Sequence, residues 1–130
     1  MSHVETKLRC FSAVIGLAHV VDGAIHLWTR NDVKDVVALW IRERVQNNLV
    51  FLSVIVSAEE SFIYSARNQF IDQPCVRVYG EVDTHNAAVT DSNIKDAVLD
   101  LFTYLKTNLN QYKIRVHFQG YSENVSIQIN

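Results

Sequence analysis

Val33-Lys34-Asp35-Val36-Val37 returns 61 positions later as Ile94-Lys95-Asp96-Ala97-Val98. Each stretch opens an amphipathic helical pattern, and each helix is followed by two strand-like patterns. A helix-plus-hairpin written twice in 130 residues predicts two similar units sharing one sheet. The echo proposes an architecture and leaves the chemistry open.

The first helix is expected from about Asp32 to Gln46, with Asn31 or Asp32 capping its free N–H groups. Asp32 and Asp35 suit the positive end of its dipole. Val33, Val36, Val37, Trp40 and Ile41 form its apolar stripe, and Asn47-Asn48 is a left-handed stop. The second helix follows a polar loop at 84–90 and starts with Asp91 or Ser92 as cap. Ile94, Ala97, Val98, Leu101, Leu105 and Leu109 give it an i, i+3, i+4 stripe.

Strand patterns surround the helices. Residues 8–21 read as one strand. Asp22-Gly23 then turns it into Ala24–Thr29, because a two-residue hairpin turn needs φ > 0 at both centres. Residues 49–56 are apolar at nearly every position, which predicts a central strand or one covered on both faces. A strand at 61–65 leads into an irregular stretch at 66–74. Pro74 should open the next strand, because it cannot donate to a ladder. From Cys75 to Asp83 the pattern alternates, with Val76, Val78, Gly80 and Val82 on one face and Arg77, Tyr79, Glu81 and Asp83 on the other. The last strands are 112–119 and 123–129, joined around Gly120-Tyr121-Ser122. Arg115 and His117 lie opposite Ile114, Val116 and Phe118. The predicted fold class is α+β, a single domain over 1–130. Two helices pack on one face of a mixed, mainly antiparallel sheet, in the order ββαβββαββ with approximate internal duplication.

Composition narrows the function classes. The chain is long enough for a real core, and one proline and four glycines leave little room for linkers. A formal net charge of −2 gives no basic footprint for nucleic acid. The N-terminal apolar stretch is broken by Ser12, His19 and Asp22. It is neither a signal peptide nor a membrane span, which needs about 20 apolar residues, so a cytoplasmic, non-membrane protein is expected. Cys10 and Cys75 both lie in apolar strand patterns and read as two buried, reduced thiols.

Chemistry-bearing motifs are sparse. No glycine-rich phosphate loop, nucleophile elbow or helical His pair is present. His19 and His26 flank the Asp-Gly turn and can face each other, but two ligands without a third make no metal site, and none is expected. The polar sheet face carrying Arg77, Tyr79, Glu81, Arg115 and His117 is the ligand-binding candidate if its strands neighbour one another. Arg44 joins the list because the echo sets it against Leu105. An arginine there either reaches water or holds a carboxylate or phosphate, with Glu59, Glu60 or Glu81 as possible internal partners.

Gln73-Pro74-Cys75-Val76-Arg77-Val78, then Ser92-Asn93, a helix of about 18 residues and Arg115-Val116-His117-Phe118, resemble the tautomerase superfamily that includes macrophage migration inhibitory factor. The resemblance covers roughly residues 49–130. It implies duplicated β-α-β units and a trimer with sheets turned inward. Catalysis in that family uses an N-terminal proline. Here Ser2 follows Met1 and the proline is Pro74, so no catalytic residue is carried over and no cofactor is implied.

The function expected from the residues is a non-enzymatic small-molecule-binding or assembly module. The alternative is a tautomerase-like enzyme with altered acid/base chemistry on the polar sheet face. Apolar strands at 8–21 and 49–56 exceed what two helices cover, which predicts a homo-oligomer, dimer or trimer.

Overall fold

The computed structural model describes residues 8–81, 90–120 and 124–130. The polar N-terminus, the strand end Val82-Asp83, nearly all of the 84–90 loop and the turn at 121–123 lie outside them, as do His3 and His85. Ten elements follow along the chain: β1 (Leu8–Gly16), β2 (Ala18–Val21), β3 (Ala24–Leu27), α1 (Arg30–Gln46), β4 (Ile55–Val56), β5 (Glu60–Ala66), β6 (Gln69–Glu81), α2 (Asp91–Asn108), β7 (Ile114–Gly120) and β8 (Asn124–Ile129).

The main sheet has the order β4-β6-β1-β7-β8, with β5 paired to the first half of β6. Every neighbouring pair among the described strands is antiparallel. β4 and β1 both run against β6, so they are parallel to each other with β6 between them. β6 and β7 likewise flank β1. Two split β-α-β units thus interleave, the ferredoxin-like arrangement. The parallel relations of the expected mixed sheet exist, but only between strands one place apart.

Both helices cover one face. Phe11, Ala13 and Ile15 of β1, Val76 and Val78 of β6, and Ile114, Val116 and Phe118 of β7 meet Val33, Val37 and Trp40 of α1 and the whole predicted stripe of α2. Each of the larger side chains, buried to within a few per cent, contributes about 1.5–3 kcal/mol.

The helix starts differ from expectation by one to three residues. Thr29 caps α1: its hydroxyl accepts from Asp32 N, and the Asp32 carboxylate accepts from Thr29 N. That reciprocal pair makes Asp32 the third helical residue, not the cap. Thr90 caps α2 through its hydroxyl alone, which accepts from Asn93 N. Asn48 supplies the left-handed stop at φ 53°, and Leu49 N closes the helix by donating to Arg44 O.

Four strand expectations are corrected. Residues 8–21 form two strands in two sheets, because Leu17 is buried at a bend. There its N–H donates to Pro74 O and its carbonyl accepts from Trp28 N. Residues 66–74 are not irregular: Arg67-Asn68, both at positive φ, make a tight turn, and β6 begins at Gln69. Pro74 lies inside β6. A strand residue points its N and its carbonyl the same way, and Pro74 O faces Leu17, so the missing N–H is on the side where β1 has ended. The 49–56 run is not central. Leu52 and Val56 face the core while Leu49, Phe51 and Ile55 stay about half exposed, and only Ile55-Val56 forms a ladder, at the sheet edge.

Candidate functional site

The sheet face away from the helices is uncovered by either helix, and its register brings the predicted residues onto one surface. Tyr79 of β6 and His117 of β7 both stand opposite Ser12 of β1. Arg77 stands opposite Val14, and Glu81 opposite Cys10. The condition that β6 and β7 neighbour one another is not met directly: β1 separates them, putting Tyr79 and His117 about 10 Å apart at ordinary strand spacing.

The face divides into two parts. Over β1 and β6 lies a cleft of about 750 Å³. Its floor is Cys10, Ser12, Arg77, Tyr79 and Glu81, and its wall is the segment Ser53–Ile55 with Ser57 and Glu60. Arg115 and His117 lie outside it and bond to β8: Arg115 Nη2 donates to Gln128 Oε1 at 3.3 Å, and His117 Nδ1 lies 2.8 Å from Ser126 Oγ.

Inside the cleft, Arg77 Nη2 lies 3.3 Å from Glu60 Oε2. Both side chains are about half exposed, so the pair is worth roughly 0–1 kcal/mol and opens readily. Glu81 has no ion-pair partner among the described residues. Ser57 fixes the wall to the floor, since its N–H donates to Arg77 O at 2.8 Å and its hydroxyl accepts from Arg77 N at 2.8 Å. Tyr79 and Ile55, paired across β4 and β6, give the cleft an exposed aromatic and aliphatic surface. Cys75 is buried beside it. Burial pushes its thiol up from the ordinary value, Glu60 and Glu59 add to that, and Arg77 opposes it.

Arg44 is far from this face. Its Nε donates to Val50 O at 2.8 Å, its Nη1 lies 3.5 Å from Asp100 Oδ2, and its guanidinium stands 5.3 Å from the centre of the Trp40 ring. It does hold a carboxylate, but Asp100 of α2 and none of the three glutamates considered from the sequence. Cys10 also departs from expectation: it is half-buried on the open face, with Sγ 3.5 Å from Gln119 Oε1.

His19 and His26 do pair across the β2–β3 hairpin, ring centroids 5.8 Å apart. His19 stacks on Trp28 at 4.3 Å, and no cluster of three potential metal ligands exists among the described residues.

Sequence reasoning missed Cys10, Ser12, Ser53 and Ser57 as cleft residues. In β1 the signal was present, since Cys10 and Ser12 alternate with Phe11 and Ala13, but apolar Val14 on the open face hid the period. Ser53 and Ser57 carried no signal, because the path of 49–57 depends on tertiary bonds.

No protein-family model matches the sequence, and no curated protein matches it. Two solved structures resemble the fold over nearly its whole length. One is a phage SAM lyase in complex with S-methyl-5′-thioadenosine, with TM-score 0.57 and 15% identity over 99% of this chain and 95% of that one. The other is a phage SAM lyase in its apo state, with TM-score 0.61 and 18% identity over 100% of this chain and 96% of that one. At that identity the likeness is one of fold.

Proposed function

We propose that the chain binds S-adenosylmethionine in the β1–β6 cleft and cleaves it to S-methyl-5′-thioadenosine. The observation that carries the reading is the lining of the cleft in a fold shared end to end with phage SAM lyase. S-adenosylmethionine presents a sulfonium, an ammonium, a carboxylate and a flat adenine. The cleft offers Glu81 and Glu60 to the two cations, Arg77 to the carboxylate, and the Tyr79–Ile55 surface to the base.

The chemistry asks little of the protein. Methylthioadenosine differs from the substrate by the aminobutyrate group, so the bond from sulfur to the γ-carbon breaks and its electron pair stays on sulfur. The substrate's own carboxylate can form the new C–O bond at that carbon, closing a five-membered lactone with no proton transferred. Opposite charges are consumed in that step, so an apolar wall such as Val54 and Ile55 favours it over water. Binding in a folded-back geometry is then the main work of the site.

The test is calorimetry with methylthioadenosine and chromatography of S-adenosylmethionine incubated with the protein. For a ligand of about 20 non-hydrogen atoms at about 0.3 kcal/mol each, the expected dissociation constant is in the tens of micromolar. Absence of binding at millimolar concentration refutes the reading. Binding without methylthioadenosine release removes the lyase half and leaves a non-enzymatic binding module.

Self-association belongs to the same reading. Val20, Ile25 and Leu27 of the β2–β3 hairpin are at least 60% exposed, and Ile63 and Phe70 of the β5–β6 hairpin are 56% and 76% exposed. Such surfaces are costly in water unless covered. Sedimentation should show a homo-oligomer that Ile25→Lys with Phe70→Lys disperses; a wild-type monomer at micromolar concentration refutes it.

A further inference from the structure

We infer that Arg30 and Arg44 are positioning residues that hang the cleft wall from α1, an inference that rests on the cleft being the ligand site. The wall, residues 50–57, has almost no ladder of its own: Ile55-Val56 is its only strand. Its backbone carbonyls are held instead at both ends by guanidinium groups of one helix. At the near end Arg44 Nε donates to Val50 O at 2.8 Å. At the far end Arg30 Nε donates to Ser57 O and Arg30 Nη2 to Val56 O, both at 2.9 Å.

Arg30 is the first residue of α1, where a positive charge opposes the helix dipole. Local helix preference does not explain it; the two carbonyls do. The fork geometry of a guanidinium matches two successive carbonyls, which a lysine cannot reproduce. From Ser57 the link reaches the floor, because Ser57 bonds to Arg77 through both its N–H and its hydroxyl, and Arg77 meets Glu60. Ser57 and the Ile55–Tyr79 pair set the register of the wall against the floor, and the two guanidinium groups hold its ends from outside the cleft.

The experiment compares Arg30→Gln, Arg30→Lys and the exposed-site control Arg42→Gln with wild type. Two readouts are taken: amide hydrogen exchange of a peptide spanning 51–58, and the methylthioadenosine dissociation constant. Arg30→Gln should speed exchange in that peptide about tenfold, leave α2 protected, and weaken binding about tenfold, since two charge-assisted bonds are lost. Arg30→Lys, able to keep one carbonyl, should fall between, and Arg42→Gln should match wild type. Where turnover is measurable, KM should rise more than kcat falls. Unchanged exchange in Arg30→Gln overturns the clamp. Faster exchange with unchanged affinity overturns its positioning role. Should wild type fail to bind, the reading of the cleft fails and the clamp is decided by exchange alone.

Discussion

Replacing Asp100 by alanine tests the junction that holds α1, α2 and the cleft wall together. Trp40 is 1% exposed, and its indole Nε1 donates to Asp100 Oδ2 at 2.8 Å. The same oxygen lies 3.5 Å from Arg44 Nη1, and Arg44 holds Val50. Asp100→Ala orphans a buried N–H, which costs about 1–3 kcal/mol. The ion pair adds little, roughly 0–1 kcal/mol, because the Asp100 side chain is 55% exposed. The sum is about 2 kcal/mol. With unfolding entropy near 2.1 cal/mol/K per residue, that lowers the melting temperature of a 130-residue domain by roughly 7 °C. Asp100→Asn keeps an acceptor for the indole and loses only the charge, so it should cost under about 1 kcal/mol. Urea melts of both variants, with Arg44→Leu to complete a cycle, separate the parts. If Asp100→Ala stays within about 0.5 kcal/mol of wild type, or Asp100→Asn is equally damaging, the indole bond is not what that carboxylate supplies.

Further expectations concern the cleft and its surroundings. Tyr79→Ala should weaken methylthioadenosine binding by about tenfold by calorimetry while leaving the melt nearly unchanged, since Tyr79 is exposed; Glu81→Gln should weaken S-adenosylmethionine more than the uncharged thioether, and equal losses would sink the sulfonium assignment. Gly80→Ala should destabilise by about 1–3 kcal/mol and weaken binding, because a Cβ there collides with the Ser53 carbonyl and the Phe11 ring. Cys10 should be alkylated well before Cys75, read by mass spectrometry of the two peptides. Because the folded Cys75 thiol titrates above its ordinary value near 9, its contribution to stability is present below that pH and is lost as pH rises through and beyond it; a melt that strengthens above pH 9 in wild type relative to Cys75→Ala contradicts this.

What local pattern could specify, the sequence specified. The α2 stripe of Ile94, Ala97, Val98, Leu101, Leu105 and Leu109 is buried as written, and the alternation from Cys75 to Glu81 puts Arg77, Tyr79 and Glu81 on one face. The Asp22-Gly23 turn has both centres at positive φ. The misreadings arose where two signals competed. An all-apolar run at 49–56 carries no period, so edge and centre are indistinguishable until Leu52 and Val56 are seen to face inward. Arg67-Asn68 turns as tightly as Asp22-Gly23, but an arginine at positive φ gives no advance notice. Three of the five residues of the cleft floor were legible by alternation; the wall was not, because its bonds run to Arg77 of β6 and to Arg30 and Arg44 of α1, outside the segment itself.

The two β-α-β units explain why the cleft lies on one side of the sheet and not the other. After α2 the chain returns as β7, seven residues whose inner face is fully buried and which pairs with β8 beyond. After α1 it returns as a two-residue ladder, and the residues before that ladder make no strand pairing. Leu105 in α2 packs into the core, whereas Arg44, its counterpart in the sequence echo, reaches out to Val50. An arginine where a core leucine would fit supplies a side-chain tether at Val50, where strand pairing is absent, and the cleft lies against that tethered segment. If the cleft is the ligand site as proposed, the departure of the first unit from the second shapes it, and placing a leucine at Arg44 should loosen the wall even though it adds apolar surface.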